Sequence, residues 1–195
     1  MAPQRKLSDV ANIIAGVHED KYTPEEKSIE YCYIQPNHLL EDGSIQLATT
    51  ILKKEKIQPN QLVRNGDILI KRLNHNMALV VSNITKPTIV SINLFIIRPN
   101  KEVVPEYLAC LLERAGILSQ IEHISGTSAS IKAISAKKLA DVRIPIIPIE
   151  KQKALGQIWY LTKQKKKLLQ NYMQESENLL SAIVDKLITA KQEER

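Results

Sequence analysis

The sequence predicts an α+β protein with one globular domain followed by a long C-terminal coiled-coil helix. Residues 57–99 are rich in β-branched residues and turn signals, which favours strands. The α and β segments do not alternate regularly, so we expect a mixed or antiparallel sheet with short helices rather than a doubly wound sheet. Residues 149–190 contain no proline and a single glycine, Gly156. We therefore assign residues 1–148 to the domain and 149–195 to the helix.

Composition and charge set the class of protein. A chain of 195 residues with 44% hydrophobic residues is long and apolar enough to bury its own core. Its net charge of +6 is uneven: residues 51–150 carry 14 basic and 8 acidic side chains, whereas residues 1–50 carry 4 and 8. A basic middle suits a polyanionic partner such as nucleic acid, although a solvated basic surface explains the charge about as well.

Cysteine usage and hydropathy indicate the compartment. Cys32 and Cys110 lack CxxC spacing, so we interpret them as buried thiols in a reducing cytosol. No signal peptide and no apolar run of about 18 residues is evident. We expect a cytoplasmic protein without a membrane span.

The first segments show recognisable start and stop signals. Residues 7–16 predict a short helix capped by Ser8 or Asp9, running into a strand that ends at Gly16. Residues 18–28 are polar and predict a loop. Further strands are predicted at Tyr31–Ile34, at Ile45–Leu47 after a turn at 41–44, at Ile68–Leu73 after the Asn65-Gly66-Asp67 turn, at Met77–Ser82 and at Ile89–Ile97.

Two helices follow the strands. Pro105 suits the first turn of a helix reaching about Ile121, with Leu108, Leu111, Leu112 and Ala115 as its buried stripe. The helix after residue 149 has a heptad stripe that is interrupted by the polar, basic run 162–167. The candidate dimerisation residues on that stripe are Leu155, Ile158, Leu169, Tyr172, Leu179 and Ile183. About forty residues extend roughly 60 Å, so such a helix needs a partner helix, or its far end frays.

Signatures of catalysis and metal binding are missing. No GxGxxG, P-loop or GxSxG spacing occurs, and His18, His38, His75 and His123 are scattered without a second ligand nearby. Asp67 and Lys71 share one face of a strand, as in some metal-dependent nucleases, but no second acidic residue follows. We therefore expect no catalytic residues, no metal and no cofactor in this chain.

Several motifs in order resemble the specificity (S) subunits of type I restriction–modification enzymes. The resemblance covers nearly the whole chain and includes the Leu7–Gly16 opening, Asn65-Gly66-Asp67-Ile68-Leu69, Val104-Pro105-Glu106-Tyr107-Leu108, Gly126-Thr127-Ser128 with Ile131 and Ile134-Ser135, Ile144-Pro145, and Pro148-Ile149-Glu150-Lys151-Gln152. It implies that residues 1–148 form a target-recognition domain and residues 149–195 a spacer helix. Full-length S subunits contain two of each, whereas this sequence shows no internal repeat.

The resemblance implies a half-subunit with defined partners. We expect a homodimer in which two copies of the long helix pair about a two-fold axis, so that the two domains read a bipartite site on double-stranded DNA. By resemblance, methyltransferase subunits that use S-adenosylmethionine, and possibly restriction subunits, join the complex. The dimer would be an artefact if this sequence is a piece of a longer subunit.

The candidate DNA contacts are basic and polar residues of the β-rich part and of the Gly-Thr-Ser loop. Arg and Lys read guanine edges and Asn reads adenine, whereas small hydroxyl groups suit phosphates. We expect groove contacts among Lys53, Lys54, Lys56, Arg64, Lys71, Arg72, Asn74 and Asn76, and phosphate contacts among Thr127, Ser128, Ser130 and Lys132. For each of these residues a solvated surface position is the alternative.

Two other functions stay open at this point. A coiled-coil adaptor or an antirestriction mimic of an S subunit would share the architecture but lack sequence preference. A stand-alone methyltransferase or nuclease is opposed by the missing motifs. Binding to random duplexes separates the first alternative, and activity with S-adenosylmethionine or magnesium would support the second.

Overall fold

The computed structural model describes residues 2–18, 29–40, 43–46, 49–53, 57–73, 76–125 and 133–193. Within these ranges the strands are β1 (Gln4–Lys6), β2 (Ala11–Ala15), β3 (Ile29–Ile34), β4 (Thr49–Lys53), β5 (Ile68–Lys71), β6 (Ala78–Val80), β7 (Thr88–Val90), β8 (Leu94–Pro99) and β9 (Arg143–Pro145). The helices are α1 (Leu7–Val10), α2 (Pro105–Leu112), α3 (Ala115–Ser125), α4 (Ala136–Ala140) and α5 (Ile149–Glu193). A 3₁₀ turn covers Pro36–His38.

The strands form three sheets. The central one has the order β2-β8-β5-β6 and is antiparallel throughout. In the second sheet, of order β4-β3-β7, β3 pairs antiparallel with β4 and parallel with β7. A small antiparallel pair joins β1 to β9, so the start of the chain meets the strand that precedes α5. The predicted α+β class with a mixed or antiparallel sheet and a long C-terminal helix is confirmed.

The central sheet is buried on both faces. Ile68 and Ile70 of β5 face a cluster that includes residues of α1, α2, α3 and α4. Leu69, between them, faces a second cluster shared with Ile34 and Val90 of the second sheet. Because side chains alternate along a strand, a continuous apolar run such as Ile68–Ile70 is expected where both faces are covered. The protein therefore consists of a helical layer, the central sheet and the second sheet.

The first predicted element is confirmed except for its cap. The chain forms helix α1 and passes directly into β2, which ends just before Gly16. The predicted cap at Ser8 or Asp9 is wrong, because the N-cap position is Lys6 and Asp9 occupies the third helical position. The Asp9 carboxylate accepts a hydrogen bond from the Lys6 backbone N–H at 3.1 Å. Gly16 is required by crowding, since a Cβ there would lie 2.1 Å from the Ser91 carbonyl oxygen.

Two predicted continuous elements are broken. The predicted strand Ile89–Ile97 splits at Ser91–Asn93, where the Leu94 N–H bonds the Ser91 carbonyl at 2.8 Å, so β7 and β8 enter different sheets. The predicted helix from Pro105 to about Ile121 ends at Leu112 and restarts at Ala115. At this break, the Glu113 side chain forms hydrogen bonds with residues of α5. Of the predicted stripe, Leu108 and Leu112 are buried, Leu111 is half-buried and Ala115 is exposed.

Other boundaries shift by a few residues. Strand β3 begins earlier than predicted, β5 and β6 are shorter, and Ile45 makes only an isolated bridge with Leu39. Most of the predicted 18–28 loop, and Glu41, Asp42 and Leu47, lie outside the described residues. Gly43 and Gly66 both have positive φ, of 81° and 87°, which explains glycine in these two turns.

Candidate nucleic-acid interface

Three chain segments far apart in sequence meet at Arg72, just after β5. Its backbone N–H donates to the Asn93 carbonyl at 2.9 Å, and its carbonyl accepts from the Ile134 N–H at 3.0 Å. Its side chain also bonds the segments around it, with Nη1 donating to the Ile92 carbonyl at 3.2 Å. The end of β5, the β7–β8 turn and the segment before α4 are thereby brought together.

Two predicted groove contacts lie near this junction. Lys71 is half-buried at the end of β5, and Asn76 is exposed just before β6. Ile134 follows the Gly-Thr-Ser motif of residues 126–128 within a few positions. The predicted contacts Lys54, Lys56, Asn74, Thr127, Ser128, Ser130 and Lys132 lie outside the described residues. The end of β5 and the segment before α4, about sixty residues apart in sequence, therefore meet at one surface of the domain.

Two predicted contacts lie elsewhere. Lys53 is the last residue of β4 in the second sheet, where its backbone is in register with Ile29. Arg64 precedes β5, so a strand of four residues separates it from Arg72. With a rise of about 3.3 Å per residue, the two ends of β5 are roughly 10 Å apart. Arg64 lies beside a cleft of about 470 Å³, lined also by Lys101, Pro105 and Lys153.

The Asp67 carboxylate forms an ion pair and hydrogen bonds with other residues of the protein. It is buried and accepts hydrogen bonds from Nε and Nη2 of Arg98, each at 2.7 Å, and from the Arg64 backbone N–H at 2.7 Å. Arg98 also donates to the carbonyls of Asn60 and Leu62. This network fixes the turn before β5, and it leaves Asp67 engaged in an ion pair rather than presented to a metal beside Lys71.

Helix α5 is attached to the domain through one face of its first turns. The buried side chain of Gln152 accepts from the Val104 N–H at 3.0 Å and donates to the carbonyls of Ile147 and Glu102. Gly156 lies against α2, since a Cβ there would come within 2.9 Å of Glu106 Cβ and Tyr107 N. The helix therefore leaves the domain in a direction fixed by hydrogen bonds and close backbone packing.

Beyond Gly156, the next turns of α5 are joined to the sheet by Glu113, which lies between α2 and α3. Its carboxylate accepts from Trp159 Nε1 at 2.9 Å, from Lys163 Nζ at 2.7 Å and from the Ala78 backbone N–H at 3.1 Å. The Lys163 ammonium lies 5.5 Å from the centre of the Trp159 ring. Glu113 therefore connects the helix to the first residue of β6, only two positions after Asn76.

The predicted dimerisation residues are exposed. Leu155, Ile158, Leu169, Tyr172, Leu179 and Ile183 have exposed fractions from 46% to 72%. At about 100° per residue they lie roughly 140° around the helix from the docking positions 152, 156, 159 and 163. The apolar stripe therefore faces away from the domain and extends along the helix to Ile183.

The two cysteines are free and half-buried, rather than fully buried as predicted. Burial is the main cause that raises the pKa of the Cys110 thiol, and nearby Glu113 raises it further against the opposing charges of Arg114 and Lys163. A thiol with a raised pKa is a poor nucleophile at neutral pH.

The described ranges contain no group of three or more His, Cys, Asp and Glu side chains that could hold a metal ion. Among the helices in those ranges, none is both long and apolar enough to cross a membrane.

Several site residues were not identified from the sequence. Arg98 and Glu113 act on groups 31 and 50 residues away, and no local spacing signals such partners. Gln152 stood in a motif of the resemblance, but its buried hydrogen bonds were not predicted. Trp159 belongs to the apolar pattern of the helix, and only its indole N–H hints at a polar partner.

No family model matches the chain. A sequence relative is a Methanocaldococcus jannaschii protein provisionally named type I restriction enzyme MjaX specificity subunit. It is 30% identical over 112 residues, which cover 55% of this chain and 26% of the relative.

Solved structures show the same fold. The HsdS subunit from Thermoanaerobacter tengcongensis matches 91% of this chain at 20% identity, with a TM-score of 0.65. A chain from a study of complex assembly and conformational transition of the type I R-M system matches 92% at 18% identity, with a TM-score of 0.69. The type I S subunit from M. genitalium matches 92% at 13% identity, with a TM-score of 0.58.

These likenesses define the class of the fold: a single domain and long helix of the type I specificity-subunit kind. The resemblance predicted from the sequence motifs is confirmed, in a half-length form. The chain covers between 43% and 48% of each of these solved chains, so it corresponds to about half of their length.

Proposed function

We propose that this protein is a sequence-specific DNA-recognition subunit of a type I restriction–modification system. Residues 1–148 form the target-recognition domain and residues 149–195 form the spacer and dimerisation helix. Two copies paired through α5 read a bipartite site on double-stranded DNA and direct methyltransferase subunits, and possibly restriction subunits, to it. We place this assembly in the cytoplasm of a prokaryotic cell.

The Arg72 junction is the observation that carries the DNA-binding part of this proposal. It brings the segment before α4 against the end of β5, beside the predicted groove contacts Lys71 and Asn76. A surface that combines an amide group and a cation suits both base edges and phosphates. The net charge of +6 supports association with a polyanion.

The exposed stripe of α5 supports completion by a second helix. The six apolar side chains of the stripe, from Leu155 to Ile183, are 46% to 72% exposed, and burial of each is worth about 1.5–3 kcal/mol. A second copy of this chain provides an identical stripe by two-fold symmetry. If the sequence is a piece of a longer subunit, the second half of that subunit provides the partner helix instead.

In this proposal the chain recognises the DNA sequence, and other subunits carry out the chemical reaction. Its sequence contains no cofactor loop, and it resembles subunits whose methyltransferase partners use S-adenosylmethionine. A partner enzyme would flip the target base out of the duplex for methylation. We therefore assign no catalytic residue, cofactor or metal to this chain.

The direct test is selection of bound sequences from randomised duplexes by the purified chain, alone and mixed with a methyltransferase subunit. We expect enrichment of a bipartite motif whose two halves are inverted repeats. Lys71→Ala and Asn76→Ala should each relax the choice at one or two base pairs, at a cost of about 1–3 kcal/mol per lost base contact.

Lys101→Ala is the matched control, because Lys101 is an exposed cation beside the cleft at the other end of β5. It should leave the selected motif unchanged. Failure of the wild-type chain to enrich any motif, with or without the methyltransferase subunit, would favour a coiled-coil adaptor or an antirestriction mimic.

A further inference from the structure

The guanidinium group of the half-buried Arg72 donates hydrogen bonds to backbone carbonyls of the protein. Nε donates to the Ile134 carbonyl at 3.4 Å, and Nη1 donates to the Ile92 carbonyl at 3.2 Å. Its central carbon lies 5.4 Å from the centre of the buried Phe95 ring, within the range of a cation–π contact. The side chain therefore has partners in two other chain segments: the stretch from the β7–β8 turn into β8, and the segment before α4.

This arrangement differs from that of an arginine that reads a base. Guanine recognition requires two parallel N–H groups of the guanidinium to face O6 and N7. In Arg72, two of the three nitrogens already face carbonyls of separate segments. Rotating the group towards DNA would give up two hydrogen bonds from a charged donor and would leave the Ile134 and Ile92 carbonyls without these donors.

The Arg72 backbone strengthens the same junction. Its N–H bonds the Asn93 carbonyl, and its carbonyl bonds the Ile134 N–H. Side chain and backbone together therefore make four hydrogen bonds to the β7–β8 turn and to the segment before α4. Both segments flank the surface on which Lys71 and Asn76 lie.

We propose that Arg72 is a positioning residue of the DNA interface: it fixes the relative placement of three segments, and neighbouring side chains make the contacts with DNA. This assignment rests on the proposed function. It differs from the sequence-based hypothesis that Arg72 itself enters a groove, and the two lead to different experimental results.

The first test needs no DNA. Amide hydrogen exchange of the folded chain is compared for wild type, Arg72→Ala, Arg72→Lys and the neighbouring control Lys71→Ala. Because lysine cannot reproduce the planar fork of arginine, both Arg72 variants should exchange about tenfold faster at residues 91–93 and 133–135. Lys71→Ala should exchange as the wild type does. If Arg72→Ala does not fold, Arg72→Lys carries the comparison.

The second test measures the salt dependence of binding to a random duplex of about 40 base pairs, in which each lost phosphate contact lowers the slope of log K against log salt by about 0.9. Arg72→Ala should bind more weakly with an unchanged slope, because a positioning residue contacts no phosphate itself. A lowered slope for Arg72→Ala with unchanged exchange would overturn the proposal and make Arg72 a direct phosphate contact. Relaxed selection at one base pair with unchanged exchange would overturn it in favour of base reading.

The two readouts separate this proposal from the proposed function. If the wild-type chain binds no DNA but the Arg72 variants lose protection, the junction is real and the DNA assignment fails. If exchange is unchanged in both variants, Arg72 does not position these segments, whatever the chain binds.

Discussion

At the scale of single residues, the Asp67–Arg98 ion pair holds the turn that precedes β5. Both nitrogen–oxygen distances are 2.7 Å, and the side chains are 2% and 15% exposed. Removing one member of a buried pair leaves the other charge without compensation, which is far more costly than losing an exposed pair. The chain offers a matched comparison, because Arg5 and Glu102 form an exposed pair at 2.6 Å.

We expect Arg98→Ala to lower the free energy of unfolding by about 3–5 kcal/mol, because Asp67 would remain buried and charged. Arg5→Ala should lower it by less than about 1 kcal/mol, since solvent screens that pair. Urea denaturation followed by circular dichroism measures both values. Similar losses in the two variants would show that the buried pair does not hold the turn.

Local patterns reveal side chains and their types, but not their distant partners. Asp67 follows an Asn-Gly turn and was weighed only against Lys71, which lies on the same strand. Its actual partner, Arg98, is 31 residues away. The same limit applies to the DNA contacts: residue type selected Lys71, Arg72 and Asn76 together, and only the structure shows that the Arg72 guanidinium bonds other chain segments.

At the scale of elements, the attachment of α5 to α2 determines where the long helix points. The glycine at position 156 allows the two helices to approach so closely that a side chain would collide with Glu106 and Tyr107. Gly116 in α3 provides the contrast, because a Cβ there would meet nothing within 4 Å.

We expect Gly156→Ala to lower the free energy of unfolding by about 1–3 kcal/mol, because the added methyl group forces α5 away from α2. Gly116→Ala should leave stability unchanged or raise it by up to about 1 kcal/mol, as alanine favours a helix. Thermal unfolding of the two variants tests this pair. A neutral Gly156→Ala would mean that the two helices are not tightly packed.

Elements with a strong local signal were predictable and those shaped by tertiary contacts were not. The absence of proline and the heptad pattern predicted α5, and the Leu7–Gly16 segment predicted α1 and β2. The break between β7 and β8 could not be predicted, because an apolar run such as Ile89–Ile97 does not say that its halves enter different sheets. At the break between α2 and α3, the Glu113 side chain bonds Trp159 and Lys163, which lie 46 and 50 residues further on.

At the scale of the whole molecule, the domain and the helix carry different tasks. The domain brings segments distant in sequence to one surface through Arg72, and it holds α5 through Gln152, Gly156 and Glu113. The helix presents its apolar stripe on the side away from the domain. A rigid attachment of this kind would fix the separation between two recognition surfaces once two such helices pair.

The central claim is that this chain is one half of a recognition unit completed by two-fold symmetry. Light scattering of the purified full chain tests it directly, and we expect a mass near twice 22.0 kDa. Deletion of residues 169–195, or the milder pair Leu179→Glu and Ile183→Glu, should restore the monomer mass, because each removes apolar side chains from the stripe. Glu177→Gln, outside the stripe, should remain a dimer. A wild-type mass near 22.0 kDa, or a dimer that survives the deletion, would contradict the claim.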